Sequence, residues 1–198
     1  MFRNESDVDR VLAALGEQLT ALSTEPVDIL VCGGSALNAL GLISRTTKDV
    51  DVLALVSKKS MDQLLLGTAK PLPPALLQAA VKVARDFDLP GDWLNPGPTS
   101  ALDFGLPEGL LARAEKRRYG KIFTVRFLSR YDQIHFKLFA AVDQAGKHYD
   151  DLKLLKPTAS ELKAAALWSM THDVSENYRN ELKRILIDLG FKNVAQEI

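Results

Sequence analysis

The sequence predicts an α+β fold: a strand-bearing core over the first two-thirds of the chain, flanked by helices, with a helical unit at the C-terminal end. Three observations carry this. Residues 27–32, 48–56 and 121–128 are short runs rich in β-branched and aromatic residues, the signature of strands. Over residues 7–22, Val8, Val11, Leu12, Leu15, Leu19 and Leu22 recur at three- and four-residue spacing and form one helical stripe. Beyond Ser129 the periodicity is helical.

In chain order, the helix over 7–22 ends ahead of Pro26, and residues 27–32 (Val-Asp-Ile-Leu-Val-Cys) form a buried strand closed by Gly33-Gly34. A second helix starts near Ser35 and stops by Gly41. Residues 48–56 alternate at first and then turn wholly apolar, as a strand entering a core does. Residues 60–63 have capping-box spacing and should open a short helix, and Pro73-Pro74 suits the first turn of a helix over 75–87. Pro90, Gly91, Pro96, Gly97, Pro98, Gly105 and Pro107 mark residues 89–107 as a structured loop. Gly120 turns the chain into the strand at 121–128. Ser129 with Asp132, Thr158 with Glu161 and Asp173 with Glu176 then have capping-box-like spacing ahead of periodic segments. The last of these, 178–189, places Leu182, Ile185, Leu186 and Leu189 on one core-facing side. This divides the chain into a core with its N-terminal helix, 1–130, and a helical unit, 131–198.

Composition narrows the function classes. Of 198 residues, 46% are hydrophobic, and Lys plus Arg (25) balance Asp plus Glu (25), so no global field draws the chain to nucleic acid or anionic membrane. A polyanion site must be local. The single Cys32 excludes an intrachain disulfide and a multi-cysteine metal centre. The longest uncharged stretch, 29–44, is interrupted by Gly33, Gly34, Ser35, Asn38 and Gly41 and is too short to span a bilayer. Glu5, Asp7 and Asp9 near the start do not fit a secretory signal. The expectation is a cytoplasmic protein without a membrane partner.

The chemistry concentrates in Cys32-Gly33-Gly34-Ser35-Ala36-Leu37-Asn38 and in Arg45-Thr46-Thr47-Lys48-Asp49-Val50-Asp51-Val52. A strand ending in two glycines before a helix gathers backbone N–H groups and the positive helix end at one point, a place where triphosphate fits. Ser35 either caps that helix or gives its hydroxyl to a phosphate. After Gly33-Gly34 the next glycine is Gly41 and no Gly-Lys-Ser/Thr follows, which disfavours Rossmann and P-loop readings. Asp49 and Asp51 lie two apart in a predicted strand, with Cα atoms roughly 6.6 Å apart and both carboxylates on one face. Such a pair holds hard cations with water and phosphate oxygens completing the shell. Two ions there would serve attack by a hydroxyl and departure of pyrophosphate. The competing reading is a solvent-facing strand edge with two harmless aspartates.

Gly33-Gly34-Ser35 followed by Arg45, Thr47 and Asp49-Val50-Asp51 resembles the signature of polymerase-beta-like minimal nucleotidyltransferases, in the branch of bacterial abortive-infection toxin nucleotidyltransferases. Residues 92–95 (Asp-Trp-Leu-Asn), 135–141 (His-Phe-Lys-Leu-Phe-Ala-Ala) and 147–152 (Lys-His-Tyr-Asp-Asp-Leu) are similar to later elements of that branch. The resemblance covers about residues 27–155. It implies a small mixed sheet, Gly33, Gly34 and Ser35 on nucleotide phosphates, and Asp49 and Asp51 on Mg²⁺ or Mn²⁺. Arg45 pairs with a phosphate or with Asp49. Lys137, set among Ile134, Phe136, Leu138, Phe139, Ala140 and Ala141, snorkels or reaches a phosphate, and the resemblance favours the triphosphate tail. Asp150 and Asp151, close to Lys147, form a structural ion pair or a brace.

The implied reaction moves a nucleoside monophosphate from an NTP to an acceptor hydroxyl on RNA, protein or a small molecule. The implied partners are the NTP, that acceptor and a cognate antitoxin. The chain departs from the family pattern at the third carboxylate: residues 121–128 contain no acid, and Asp103 is the nearest substitute, with Asp88 behind it. Without it, a weakly active or inactive nucleotide-binding or toxin–antitoxin interaction module becomes the alternative. Residues 113–121 carry five basic residues and one acid. That run either contacts RNA together with Tyr119 or is a solvated helix end. His135, His148 and His172 lack metal-ligand spacing and are expected to be structural.

Overall fold

The computed structural model describes residues 1–60, 63–144 and 146–198, and divides into two compact units: residues 1–106 with 111–128, and residues 107–110 with 129–198. The fold is α+β.

In the first unit, α1 (Glu5–Ala21) starts two residues earlier than its apolar stripe, because the Asn4 side chain accepts from the Asp7 N–H and caps it. Strand β1 (Val27–Cys32) runs into α2 (Gly33–Ala39), which opens at Gly33 rather than near Ser35. β2 (Val50–Lys58) follows, then β3 (Leu64–Gly67), α3 (Pro74–Asp86), the two-residue β4 (Leu94–Asn95), a 3-10 turn (Gly97–Asp103), α4 (Leu110–Arg113), β5 (Glu115–Tyr119) and β6 (Phe123–Phe127). The described strands form one mixed sheet in the order β3-β2-β1-β6-β5, with β4 also paired to β2. β1 is antiparallel to β2 and parallel to β6.

Two expectations change here. Met61 and Asp62 lie outside the described residues, but Leu64–Gly67, where the short helix opened at Ser60 was expected to run, is a strand pairing antiparallel with the far end of β2. The basic run begins at the end of α4, at Arg113, as a helix end before a strand does, but most of it is the strand itself: Glu115–Tyr119 is the edge strand β5, paired antiparallel with β6. Its Arg117 meets acids of α1, at 3.0 Å from Glu5 and 3.3 Å from Asp9, and donates to the Ala39 carbonyl at 2.8 Å. The Tyr119 hydroxyl donates to Asp9, and burial together with that bond pushes the phenol well above its ordinary range.

One face of the sheet builds the core. Ile29, Val31, Val50, Val52, Phe123, Val125 and Phe127 pack with Leu12, Leu15 and Leu19 of α1, Leu76, Ala79 and Val83 of α3, Phe2 and Trp93. Because Val50 and Val52 are fully buried there, strand alternation turns Asp51 to the other face. Among the described residues, no helix is long and apolar enough to cross a membrane.

The second unit contains α5 (Arg130–Asp143), α6 (Lys147–Leu154), α7 (Ala159–Ser169), α8 (Glu176–Asp188) and α9 (Lys192–Glu197). Ser129 caps α5, and Thr158 with Glu161 forms a full capping box on α7. The cap of α8 is Ser175 rather than Asp173, whose carboxylate instead accepts from the Ser175 N–H. Arg130 knits the helix ends together by donating to the Leu155 and Lys156 carbonyls and to Glu161. Partial burial opposes charge on Glu161, yet the bonds from Arg130 and Thr158 outweigh it and hold the carboxyl below its ordinary value. A depressed carboxylate contributes stability above its unfolded pKa and loses it as pH falls through the folded one. Glu161→Gln should therefore lower stability at neutral pH by about 1 kcal/mol, with the difference from the parent closing in acid. Thermal melts from pH 7 to pH 3 check this, and a gap that widens in acid would refute it.

Candidate active site

The site-bearing residues meet at the end of β1. The register of β1 and β2 shifts between Leu30 and Val31, which sets Cys32 opposite Asp51. On the other side of β2, Asp51 pairs with Asn95 of β4. Cys32, Asp51 and Asn95 thus stand at one level across three strands, beside the Gly33-Gly34 turn.

The turn is built for close approach. Gly33 has φ +75°, and a Cβ on it would sit 2.2 Å from Asp51 Oδ2. On Gly34 a Cβ would meet Arg45 Nη2 at 3.0 Å and Thr47 Oγ1 at 3.2 Å. Glycine at both positions lets a carboxylate pack against one residue of the turn and a guanidinium and a threonine against the next. Ser35 is not the helix cap, because Cys32 holds that position and Ser35 is the third residue of α2. Its side chain is fully buried, and its hydroxyl has no hydrogen-bond partner in the structure. A buried hydroxyl in that state costs about 1–3 kcal/mol, a cost that plain capping does not account for.

Asp49 reaches the site by another route than strand alternation. β2 begins at Val50, so Asp49 lies just before it, and Thr47 Oγ1 donates to Asp49 Oδ1 at 2.9 Å. Thr47 in turn is fixed by backbone bonds of 2.9 Å in each direction with Phe2, whose ring is buried beside Trp93. Asn95 Nδ2 donates to Asp51 Oδ1 at 3.0 Å. A pocket of about 380 Å³ is lined by Lys48, Asp49, Pro90, Asp92, Trp93 and Asn95, the last of which bonds Asp51. Arg45 is held to α2 by Asn38, whose amide donates to the Arg45 carbonyl at 2.8 Å and accepts from its N–H at 3.3 Å.

The structure therefore sets Asp51 against Gly33, and Arg45 and Thr47 against Gly34, with Asp49 bonded to Thr47 and Ser35 following in α2. Asp103 is exposed at the end of the 3-10 turn and Asp88 is exposed after α3. Among the described residues, no group of three or more His, Cys, Asp or Glu side chains is placed to hold a metal, so Asp103 is not gathered with Asp49 and Asp51 into one. The acid sharing Asp49's pocket is Asp92. Lys137 lies in the second unit, where its ammonium is 2.7 Å from Asp151 and both side chains are buried. The anion at this lysine is thus Asp151, supplied by α6, and Asp150 beside it is exposed. His135 and His172 pack around Trp168, with ring centroids 5.7 and 4.3 Å away.

Sequence reasoning singled out the segments that hold Asn38 and residues 92–95 but gave Asn38, Asn95 and Asp92 no role in this arrangement. Asn95 had a readable signal, an amide beside glycine and proline in a loop that must pack. Comparison with protein-family models, characterised proteins and solved structures finds no match for this chain.

Proposed function

We propose that this chain is a metal-dependent nucleotidyltransferase, moving a nucleoside monophosphate from an NTP to an acceptor hydroxyl. One observation carries the reading: the Asp51 carboxylate lies against Gly33 in the turn that also buries the unpartnered Ser35 hydroxyl. Phosphate donors and a cation-holding acid then meet within one turn of chain. Asp49 and Asp51 are oxygen donors, each oriented by a side-chain bond, and suit a hard cation whose remaining positions are filled by water and substrate phosphate. They would hold Mg²⁺ or Mn²⁺. Bound there, the ion supplies neutralisation of phosphate charge and orientation of the triphosphate.

The backbone N–H groups of the turn and the Ser35 hydroxyl bind phosphate oxygens, and Arg45 adds a fixed positive charge beside Gly34. The acceptor oxygen forms a bond to the α-phosphorus while the bond from that phosphorus to the β-bridging oxygen breaks, releasing pyrophosphate and the hydroxyl proton. A cytoplasmic setting, with NTP and Mg²⁺ at hand and an RNA or protein acceptor, accords with this chemistry. The two-acid donor set favours a second reading on the same site, a nucleotide-binding module with little or no transfer that acts with a partner such as an antitoxin.

Incubation with Mg²⁺ and each labelled NTP, with total RNA or protein as acceptor, separates these. Label on an acceptor supports transfer, metal-dependent binding without label supports the module, and no NTP binding at all defeats both. Asp51→Asn removes the charge and keeps the shape. It should weaken Mg²⁺-dependent NTP binding about 10-fold or more, measured by calorimetry with and without metal. Equal affinity in the two proteins would contradict the assignment.

A further inference from the structure

The Asp51 carboxylate is held from two sides. Oδ2 occupies the space that a Cβ on Gly33 would need, and Oδ1 accepts from Asn95 Nδ2 at 3.0 Å. Asn95 belongs to β4, which pairs in parallel with the first two residues of β2, Leu94 with Val50 and Asn95 with Asp51. Backbone pairing alone therefore brings the amide level with the carboxylate.

The far end of the amide settles its orientation. The Gly97 N–H donates to Asn95 Oδ1 at 2.9 Å, which leaves Nδ2 as the group facing Asp51. A flipped amide would lose that bond and set a carbonyl oxygen against a carboxylate, two acceptors with no proton between them. Gly97 makes the contact possible, since a Cβ there would sit 3.0 Å from Oδ1 and 3.4 Å from Nδ2. An amide at this position also does what an acid cannot: it donates to the carboxylate without adding a second negative charge.

We infer that Asn95 is the positioning residue for Asp51, fixing which carboxylate oxygen faces the Gly33 turn and hence the geometry offered to the cation. This rests on the nucleotidyltransferase reading. Partners that orient a metal ligand typically govern 10- to 100-fold in metal affinity.

The test is a Mn²⁺ titration followed by electron paramagnetic resonance, with and without a non-hydrolysable NTP, on the parent, Asn95→Ala and Gly97→Ala, with thermal melts alongside. Asn95→Ala should raise the Mn²⁺ concentration for half-saturation about 10-fold or more and leave nucleotide affinity at saturating Mn²⁺ unchanged. Gly97→Ala, at an exposed position, should move Mn²⁺ affinity in the same direction by a smaller factor without altering the melt. Equal Mn²⁺ affinity in the parent and Asn95→Ala overturns the inference. So does a fall in nucleotide affinity that persists at saturating Mn²⁺, the mark of a loosened loop. A parent protein that binds no Mn²⁺ instead defeats the nucleotidyltransferase reading itself.

Discussion

Lys137→Met is expected to destabilise the protein by about 3–5 kcal/mol, read as a lower urea midpoint, because it leaves a buried carboxylate uncompensated. The Lys137 ammonium lies 2.7 Å from Asp151, with the two side chains 5% and 0% exposed. Asp151→Asn should cost a similar amount by stranding the ammonium. Combining the two substitutions should recover much of the loss, since neither charge then remains buried alone. A sequence-level argument expects Lys137→Met to fold normally and to weaken NTP binding, on the ground that the lysine's anion is a bound triphosphate. With Asp151 as its counterion, the stability loss becomes the first-order effect. Single variants within about 0.5 kcal/mol of the parent would show that the pair is not a structural strut.

Gly33→Ala should abolish Mg²⁺-dependent NTP binding and cost about 1–2 kcal/mol of stability. The stability term is the strain of a non-glycine residue at φ +75°. The binding term is steric: a Cβ at 2.2 Å from Asp51 Oδ2 forces the carboxylate off Asn95 or moves the turn, and on the proposed function either change would separate the acid proposed for the cation from the turn proposed for phosphate. Gly34→Ala is the milder comparison, because its nearest neighbour is the far end of the Arg45 side chain at 3.0 Å. Calorimetric titration with NTP, with and without Mg²⁺, measures both variants, and full binding by Gly33→Ala would remove Asp51 from the site.

Helical and apolar periodicity made α1, α3, α5, α8, β1, β2 and β6 readable, since each buries a face whose spacing its own residues declare. β5 escaped because Glu-Lys-Arg-Arg-Tyr has no apolar alternation to show. It is an edge strand whose buried member is Tyr119 and whose identity comes from pairing with β6. β3 escaped for another reason: Leu-Leu-Leu-Gly is a short apolar run that periodicity does not assign to helix or strand, and its strand conformation follows from pairing with the far end of β2. The glycine turn was readable because close approach of Asp51 demands glycine there, and the two aspartates stood out as a candidate site because their spacing suits the cation chemistry proposed for them.

What the sequence by itself supplied, then, is the material of the candidate site, namely Gly33, Gly34, Ser35, Arg45, Asp49 and Asp51, and a lysine in an apolar helix that had to find an anion. Tertiary structure alone decided the pairings. Asp151 rather than Asp150 turns inward to Lys137 because helical phase on α6 points one residue in and its neighbour out. Asn95 reaches Asp51 across 44 positions because β4 pairs beside the start of β2. Composition and spacing specify which groups must be satisfied. Which partner satisfies them depends on strand register and helix phase, properties that exist only once the chain has packed.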